Sequence, residues 1–290
     1  MRNKMIVAVV IAAMCAGFIA LITNPPRSLK KGDTGFNSSA SDHAESGSTS
    51  RGASSGTKRL LDSNALDPAY TVSHGNRGFN VVRTGPLRPE GDALAYVQSL
   101  LPASRSGNAN ATFNIFLAAL DCRRAYTGSL DGSEAGQMSL EDLKECETLL
   151  SDKELLDMDW LTEAAEQGSI EAMTMYSINP DYVLPGGPQS YLSDPEAVQR
   201  WKSNAKMYLE KAALSGSQDA FIAISNGYSN GVIYEYNPIS ELGYAMAAEK
   251  INPIPGFEEA YRPMAKSLSP TQLRQSESLS EALYKQCCME

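Results

Sequence analysis

Histidine is nearly missing from this sequence. Of 290 residues only His43 and His74 are histidines, and both fall within the first ninety. The rest of the chain has no imidazole, so a general base there is limited to carboxylate, lysine or cysteine. The motifs of several large enzyme classes are absent too: no GxxxxGK[ST] phosphate loop, no GxSxG nucleophile elbow and no HExxH zinc helix. SxxK occurs at Ser203 with Lys206 and at Ser28 with Lys31, but without the companion motifs of a serine acyltransferase. The acidic pairs Asp157/Asp159 and Glu163/Glu166 have the spacing of a solvated face. No CxxC or HxxxH spacing supports zinc. The expectation is no catalytic residue, no cofactor, no metal and no evident small-molecule ligand. Strand-like alternation is also lacking, which leaves helix as the organising element.

Cysteine is sparse: Cys15, Cys122, Cys146, Cys287 and Cys288. Cys15 lies in an apolar run. The other four permit three pairings, among which spacing alone does not choose. Cys122 with Cys146 is the preferred disulfide, because each falls on a helix-like stretch and a short polar connection joins them. Cys287 and Cys288 form a possible second pair, but a bond between adjacent residues is strained. The expectation is that one of them staples the last helix to another part of the chain.

Residues 5–23 carry no charge. Nineteen apolar residues at about 1.5 Å each reach roughly 28 Å, close to the thickness of a bilayer core. The run ends in Leu21, Ile22 and Thr23 before Asn24, Pro25 and Pro26, a poor cleavage site, and Met14 rather than a small residue precedes Cys15. The segment is expected to be an uncleaved membrane anchor. Arg2, Lys4 and the terminal amine on one side balance Arg27, Lys30 and Lys31 on the other, so flanking charge does not orient it. Disulfides persist outside the cytosol, which assigns the C-terminal region to the periplasmic or otherwise extracytoplasmic side.

Residues 24–91 read as a disordered or extended linker. Residues 32–58 are dominated by Ser, Gly, Ala and Thr and cannot bury enough apolar surface to offset the entropy of ordering. As flexible coil, residues 24–91 span roughly 45 Å. Tyr70, Val72, Phe79, Val81 and Val82 then appear among turn formers, and this part is expected to lie as an extended arm along the domain. Residues 1–91 hold 11 Lys/Arg against 6 Asp/Glu, whereas residues 92–290 hold 14 against 28. The basic part fits anionic lipid headgroups. The acidic part repels phosphate backbones, which excludes nucleic acid as its ligand and keeps it soluble.

Residues 92–290 form the expected folded domain, long enough to bury roughly 70% of its unfolded surface. A pattern recurs within it. Leu161, Ala164, Ala165, Gly168, Ser169, Glu171 and Ala172 match Leu209, Ala212, Ala213, Gly216, Ser217, Asp219 and Ala220, 48 residues on. A looser copy runs through Leu100, Ala103, Ser104, Gly107, Asn108, Asn110 and Ala111, 61 residues before the first. Leu and the paired Ala place small residues on one helical face, where a second helix can approach. Gly168 and Gly216 suit the left-handed residue that ends a helix, Ser169 and Ser217 cap the next one, and Glu171 and Asp219 sit in its first turn, favoured by the helix dipole. Pro195 and Pro270 follow Asp194 and Ser269, as at helix starts. Trp160, Trp201, Tyr208 and Tyr228 are expected in the core rather than on a binding surface.

These segments resemble the Sel-one-like repeat family, relatives of the tetratricopeptide solenoids. That family pairs Ala-Ala with a Gly-acidic-x-Ala turn and closes on Tyr-x-x-Gly, which Tyr228 and Gly231 match. Asn237 and Pro238 followed by Tyr244 and Ala245 resemble the start of another unit, and residues 207–250 match best. The Leu161 unit lacks the closing glycine. The resemblance implies an all-α short solenoid of helix–turn–helix repeats, and an adaptor or scaffold that binds a protein partner on the surface its helices present. Two alternatives remain: a cell-envelope enzyme using paired carboxylates, and a purely structural envelope spacer.

Overall fold

The structure is a computed structural model and describes residues 64–74, 77–131, 140–184 and 190–289. The expected anchor at 5–23 and most of the expected linker lie outside the described residues. Among the described residues, no helix is long and apolar enough to cross a membrane.

The described part is mostly helical. It begins with a hairpin, β1 (Thr71–His74) and β2 (Gly78–Val81), paired antiparallel with Thr71 opposite Val81 and His74 opposite Gly78. Twelve helices follow: α1 (Ala93–Arg105), α2 (Ala109–Asp131), α3 (Leu140–Ser151), α4 (Lys153–Asp157), α5 (Trp160–Gln167), α6 (Ile170–Ile178), α7 (Ser190–Ser193), α8 (Pro195–Leu214), α9 (Gln218–Asn230), α10 (Pro238–Ile251), α11 (Phe257–Ser267) and α12 (Pro270–Cys288). The hairpin corrects the expectation of no strands. Four residues per strand are too few for a period of two to stand out, and β2 completes its pairing on a distant turn, through a bridge from Phe79 to Ser217.

The repeated pattern is a repeated piece of backbone. Gly107, Gly168 and Gly216 take φ of 88°, 108° and 96°, the left-handed region where a Cβ is penalised. The next residue then turns its N–H back five positions: Asn108 to the Ala103 carbonyl (3.0 Å), Ser169 to Ala164 (2.9 Å) and Ser217 to Ala212 (3.2 Å). This is the Schellman closure, and it satisfies carbonyls left over at the helix end. The same three residues cap the following helix. Asn108 Oδ1 accepts from the Ala111 N–H (3.0 Å), Ser169 Oγ from Ala172 (3.2 Å) and Ser217 Oγ from Ala220 (3.3 Å). Three helical hairpins result: α1/α2, α5/α6 and α8/α9. At the end of α9, Gly231 is again left-handed (φ 69°), and the ring of Tyr228 stacks on Tyr234 at 4.5 Å.

The apolar side of each unit is buried. Leu161, Ala164 and Ala165 are enclosed, as are Leu209, Ala212 and Ala213. Trp160, Trp201 and Tyr208 are core residues, and the two indoles donate to the Leu155 (2.7 Å) and Tyr176 (3.0 Å) carbonyls. Tyr228 is half-buried. Cys122 on α2 and Cys146 on α3 lie at disulfide distance, with Cα atoms 5.3 Å apart. Closing a loop of that length stabilises by on the order of 3 kcal/mol. Cys287 is joined to Cys288, so neither staples α12 to another element, which corrects that expectation.

Residues 64–74 and 77–91 are built into this body, so the expected domain start at 92 falls inside a packed region. Phe79 is fully buried, and Leu66 and Arg88 are each 5% exposed. Arg88 reaches between α2 and α3, 3.1 Å from Asp121 and 2.8 Å from Glu145. The arm also crosses the starts of all three second helices. The Asn110 amide donates to the Leu66 carbonyl (2.7 Å), the Ile170 N–H to Ala65 (3.1 Å), and Asp219 accepts from the Val81 N–H (3.0 Å). Glu171 accepts from Arg83 Nε (2.6 Å) and Nη2 (3.3 Å), and the same guanidinium lies over the Tyr70 ring at 4.1 Å. Asn110, Glu171 and Asp219 hold one position in the three copies. The dipole argument placed two of them correctly but missed their shared task, which is to strap the arm down.

Candidate functional site

The strap lies across the turns and leaves the first helix of the third hairpin open along one side. On α8, Ser203, Lys206, Met207, Glu210 and Leu214 are all exposed at spacings of three and four residues. Two of them are large and apolar, with Met207 52% and Leu214 48% exposed. The other face of the same helix carries buried Ala205, Leu209, Ala212 and Ala213, so the helix is fixed by its core side and presents its outer side as a rigid row.

Two hollows flank this row and share Met207 and Lys211. The larger, about 700 Å³, is bounded by Arg77 from the hairpin and Gln286 from α12. The smaller, about 260 Å³, runs toward Ala165 and Glu166 of α5, with Asn204 and Tyr208 in its wall. Burial pushes the Tyr208 hydroxyl up to about 12, with the nearby Glu166 charge adding to the shift, so it is a neutral donor at any physiological pH. Together the hollows form a groove with an apolar floor and a charged rim.

The rim is mainly cationic. Arg77, Lys206 and Lys211 make no ion pair among the described residues. Lys206 Nζ lies over the Tyr234 ring at 5.8 Å. Glu210 and Glu166 also face the groove, each in a different hollow. Arg77 is in place because Gly216 has no side chain: a Cβ there would come within 2.3 Å of the Arg77 carbonyl oxygen. The turn glycine that ends α8 thus also lets the hairpin seat against the groove.

The repeat-turn residues Gly168, Ser169, Ala172, Gly216, Ser217 and Ala220 shape the hairpins and line neither hollow. Tyr228 and Gly231 close α9 in the same structural sense. Ser203 and Lys206 open onto the larger hollow from exposed positions. Ser28, Lys31 and His43 lie outside the described residues. His74 Nε2 is 2.6 Å from Asn80 Oδ1 across the hairpin, a neighbour that the sequence reading did not foresee. Asp157, Asp159, Glu163 and Glu166 are exposed, and Asp159 caps α5 by accepting from the Thr162 N–H. No group of side chains suited to a metal ion occurs among the described residues. The groove itself was not legible beforehand, because its rim draws on residues 77, 206, 211 and 286.

Fold and groove define a helical-repeat body with a strap bound in cis. No family profile matches the chain, and neither a curated protein nor a solved structure shows significant similarity to it.

Proposed function

We propose that this protein is a non-catalytic interaction module, an adaptor or scaffold that binds a protein partner in the groove along α8. We read it as a divergent member of the Sel-one-like repeats, a short α-solenoid tethered to a membrane by residues 5–23 on the extracytoplasmic side. One observation carries the reading: a helix row with exposed Met207 and Leu214 between two hollows, on a helix whose opposite side is enclosed. Exposed apolar side chains grouped in a groove and rimmed by polar ones are the usual character of a protein-binding surface. The three matching turns support the family assignment. The Cys122–Cys146 pair supports the compartment. Protein partners dock on such helix faces without chemistry, which suits a groove that offers cations, amides and a neutral phenol.

A photo-crosslinking residue at position 207 of the full chain in intact membranes tests this. Discrete adducts from position 207, absent when the same residue replaces exposed Lys153 on α4, support an interaction site in the groove. No adduct at 207, or the same adducts from both positions, refutes it.

A further inference from the structure

We infer that the groove takes an acidic, apolar-containing segment of its partner, and that the strap completes the site by supplying Arg77. This rests on the interaction-module reading above and names the chemistry of the partner.

Charge carries the inference. Residues 92–290 hold twice as many carboxylates as cations, 28 against 14. A random patch of that surface is therefore acidic, yet the larger hollow gathers Arg77, Lys206 and Lys211 around Glu210 alone. Arg83 and Arg88 pair with buried or half-buried carboxylates, and Lys250 and Lys285 both pair with Glu281, while among the described residues other surface cations such as Lys153 and Lys202 also make no ion pair but do not gather beside an apolar hollow. The three groove cations are left without carboxylate partners. Cations kept unpaired beside an exposed apolar floor match a ligand that brings carboxylates and apolar side chains together. The surrounding acidic surface repels such a ligand everywhere else, which confines it to the groove.

The strap enters through geometry. Arg77 stands at the tip of the hairpin, directly before Gly78 and Phe79. The Phe79 N–H donates to the Gly216 carbonyl at 3.0 Å, and the Phe79 side chain is fully buried. Arg77 is thus held at the groove by the seating of β2 on the third repeat turn. The strap residues that follow are pinned by Asp219 and Glu171. A change that lifts β2 from Gly216 removes one of the three rim cations without touching α8. The segment that leads toward the expected anchor therefore forms part of the binding site, so that strap seating and partner binding are coupled.

The test is selection of random dodecapeptides on the full chain in neutral detergent micelles, followed by fluorescence anisotropy of the recovered peptides. Recovered peptides are expected to be rich in Asp and Glu with Leu, Met or aromatic residues, and to bind more weakly as salt is raised. Lys206→Glu with Lys211→Glu is expected to weaken them about tenfold, since each lost or reversed surface pair contributes modestly. Arg77→Glu alone is expected to weaken them several-fold with α8 intact. Circular dichroism checks that each variant is folded. Basic or neutral peptides, or no enrichment at all, overturns the inference, and so does acidic binding indifferent to Lys206 and Lys211. Binding that needs both lysines but ignores Arg77 overturns the role of the strap. Adducts at position 207 without acidic enrichment leave the interaction-module reading standing while this inference falls.

Discussion

Gly168 and Gly216 occupy the same place in two copies of one turn, and replacing each with alanine separates the turn from the strap. Both residues are left-handed, φ 108° and 96°, so an alanine at either costs about 1–2 kcal/mol in backbone strain. At Gly168 that is the whole cost, because a Cβ there meets nothing within 4 Å. At Gly216 the Cβ falls 2.3 Å from the Arg77 carbonyl oxygen and 3.4 Å from the Gly78 Cα. These are backbone atoms with no rotamer to change, so β2 must move as a unit. Moving it strains or breaks the Phe79–Gly216 and Val81–Asp219 hydrogen bonds, at about 1 kcal/mol each, and partly uncovers a fully buried phenylalanine, worth about 2 kcal/mol more. Gly168→Ala is then expected to lower stability by about 1–2 kcal/mol and Gly216→Ala by about 4–6 kcal/mol. For a domain of this size each kcal/mol moves the midpoint by roughly 2–4 °C, so the two variants differ by about 10 °C in thermal unfolding. Hydrogen exchange adds a local readout: the Phe79 and Val81 amides lose protection in Gly216→Ala and keep it in Gly168→Ala. Equal midpoint shifts with unchanged exchange at Phe79 would show that the hairpin does not rest on this turn, and the account of the strap would fail.

Two further outcomes follow from the strap. A fragment of residues 92–290 is expected to be largely unfolded while residues 64–290 fold, because removing Leu66, Phe79 and Arg88 uncovers core and leaves Glu145 and Glu171 without their arginines; the same thermal midpoint for both fragments refutes this. Burial raises the carboxyls of Glu171 and Asp219 above their ordinary values, against the opposing pull of Arg83 on Glu171 and of the Val81 N–H on Asp219. A raised carboxyl means that the folded state holds the proton more tightly, so this contribution is complete below the unfolded value and is lost as pH rises through the folded one. In urea unfolding, the advantage of the wild type over Glu171→Gln is therefore expected to widen as pH falls from neutral through the raised range, and a narrowing gap contradicts it.

The helices were legible because their signals act within a few residues. A left-handed glycine followed by Ser or Asn works inside one six-residue closure, so reading Gly168-Ser169 and Gly216-Ser217 as turn and cap needs no knowledge of the rest of the chain. The same holds for Asn237 before Pro238, where the side chain accepts from the Ile239 and Ser240 N–H groups. The hairpin escaped notice because its pairing is finished by a turn more than a hundred residues away. The Cys287–Cys288 pair was named as one option but set behind a staple to another element, because four cysteines leave the choice among three pairings open.

Sequence alone therefore settled where the chain turns, which faces of the repeat helices are apolar, and that its acidic and basic residues are unevenly divided. These are properties of neighbouring residues and of counts. Only the tertiary structure decided what Asn110, Glu171 and Asp219 hold, and that Arg77 joins Lys206 and Lys211 at one groove. A helix start offers its first-turn side chain to whatever passes over it, and no local rule says what that will be. Here it is the arm, laid across all three starts by burial of Phe79 at its centre and Arg88 at its end.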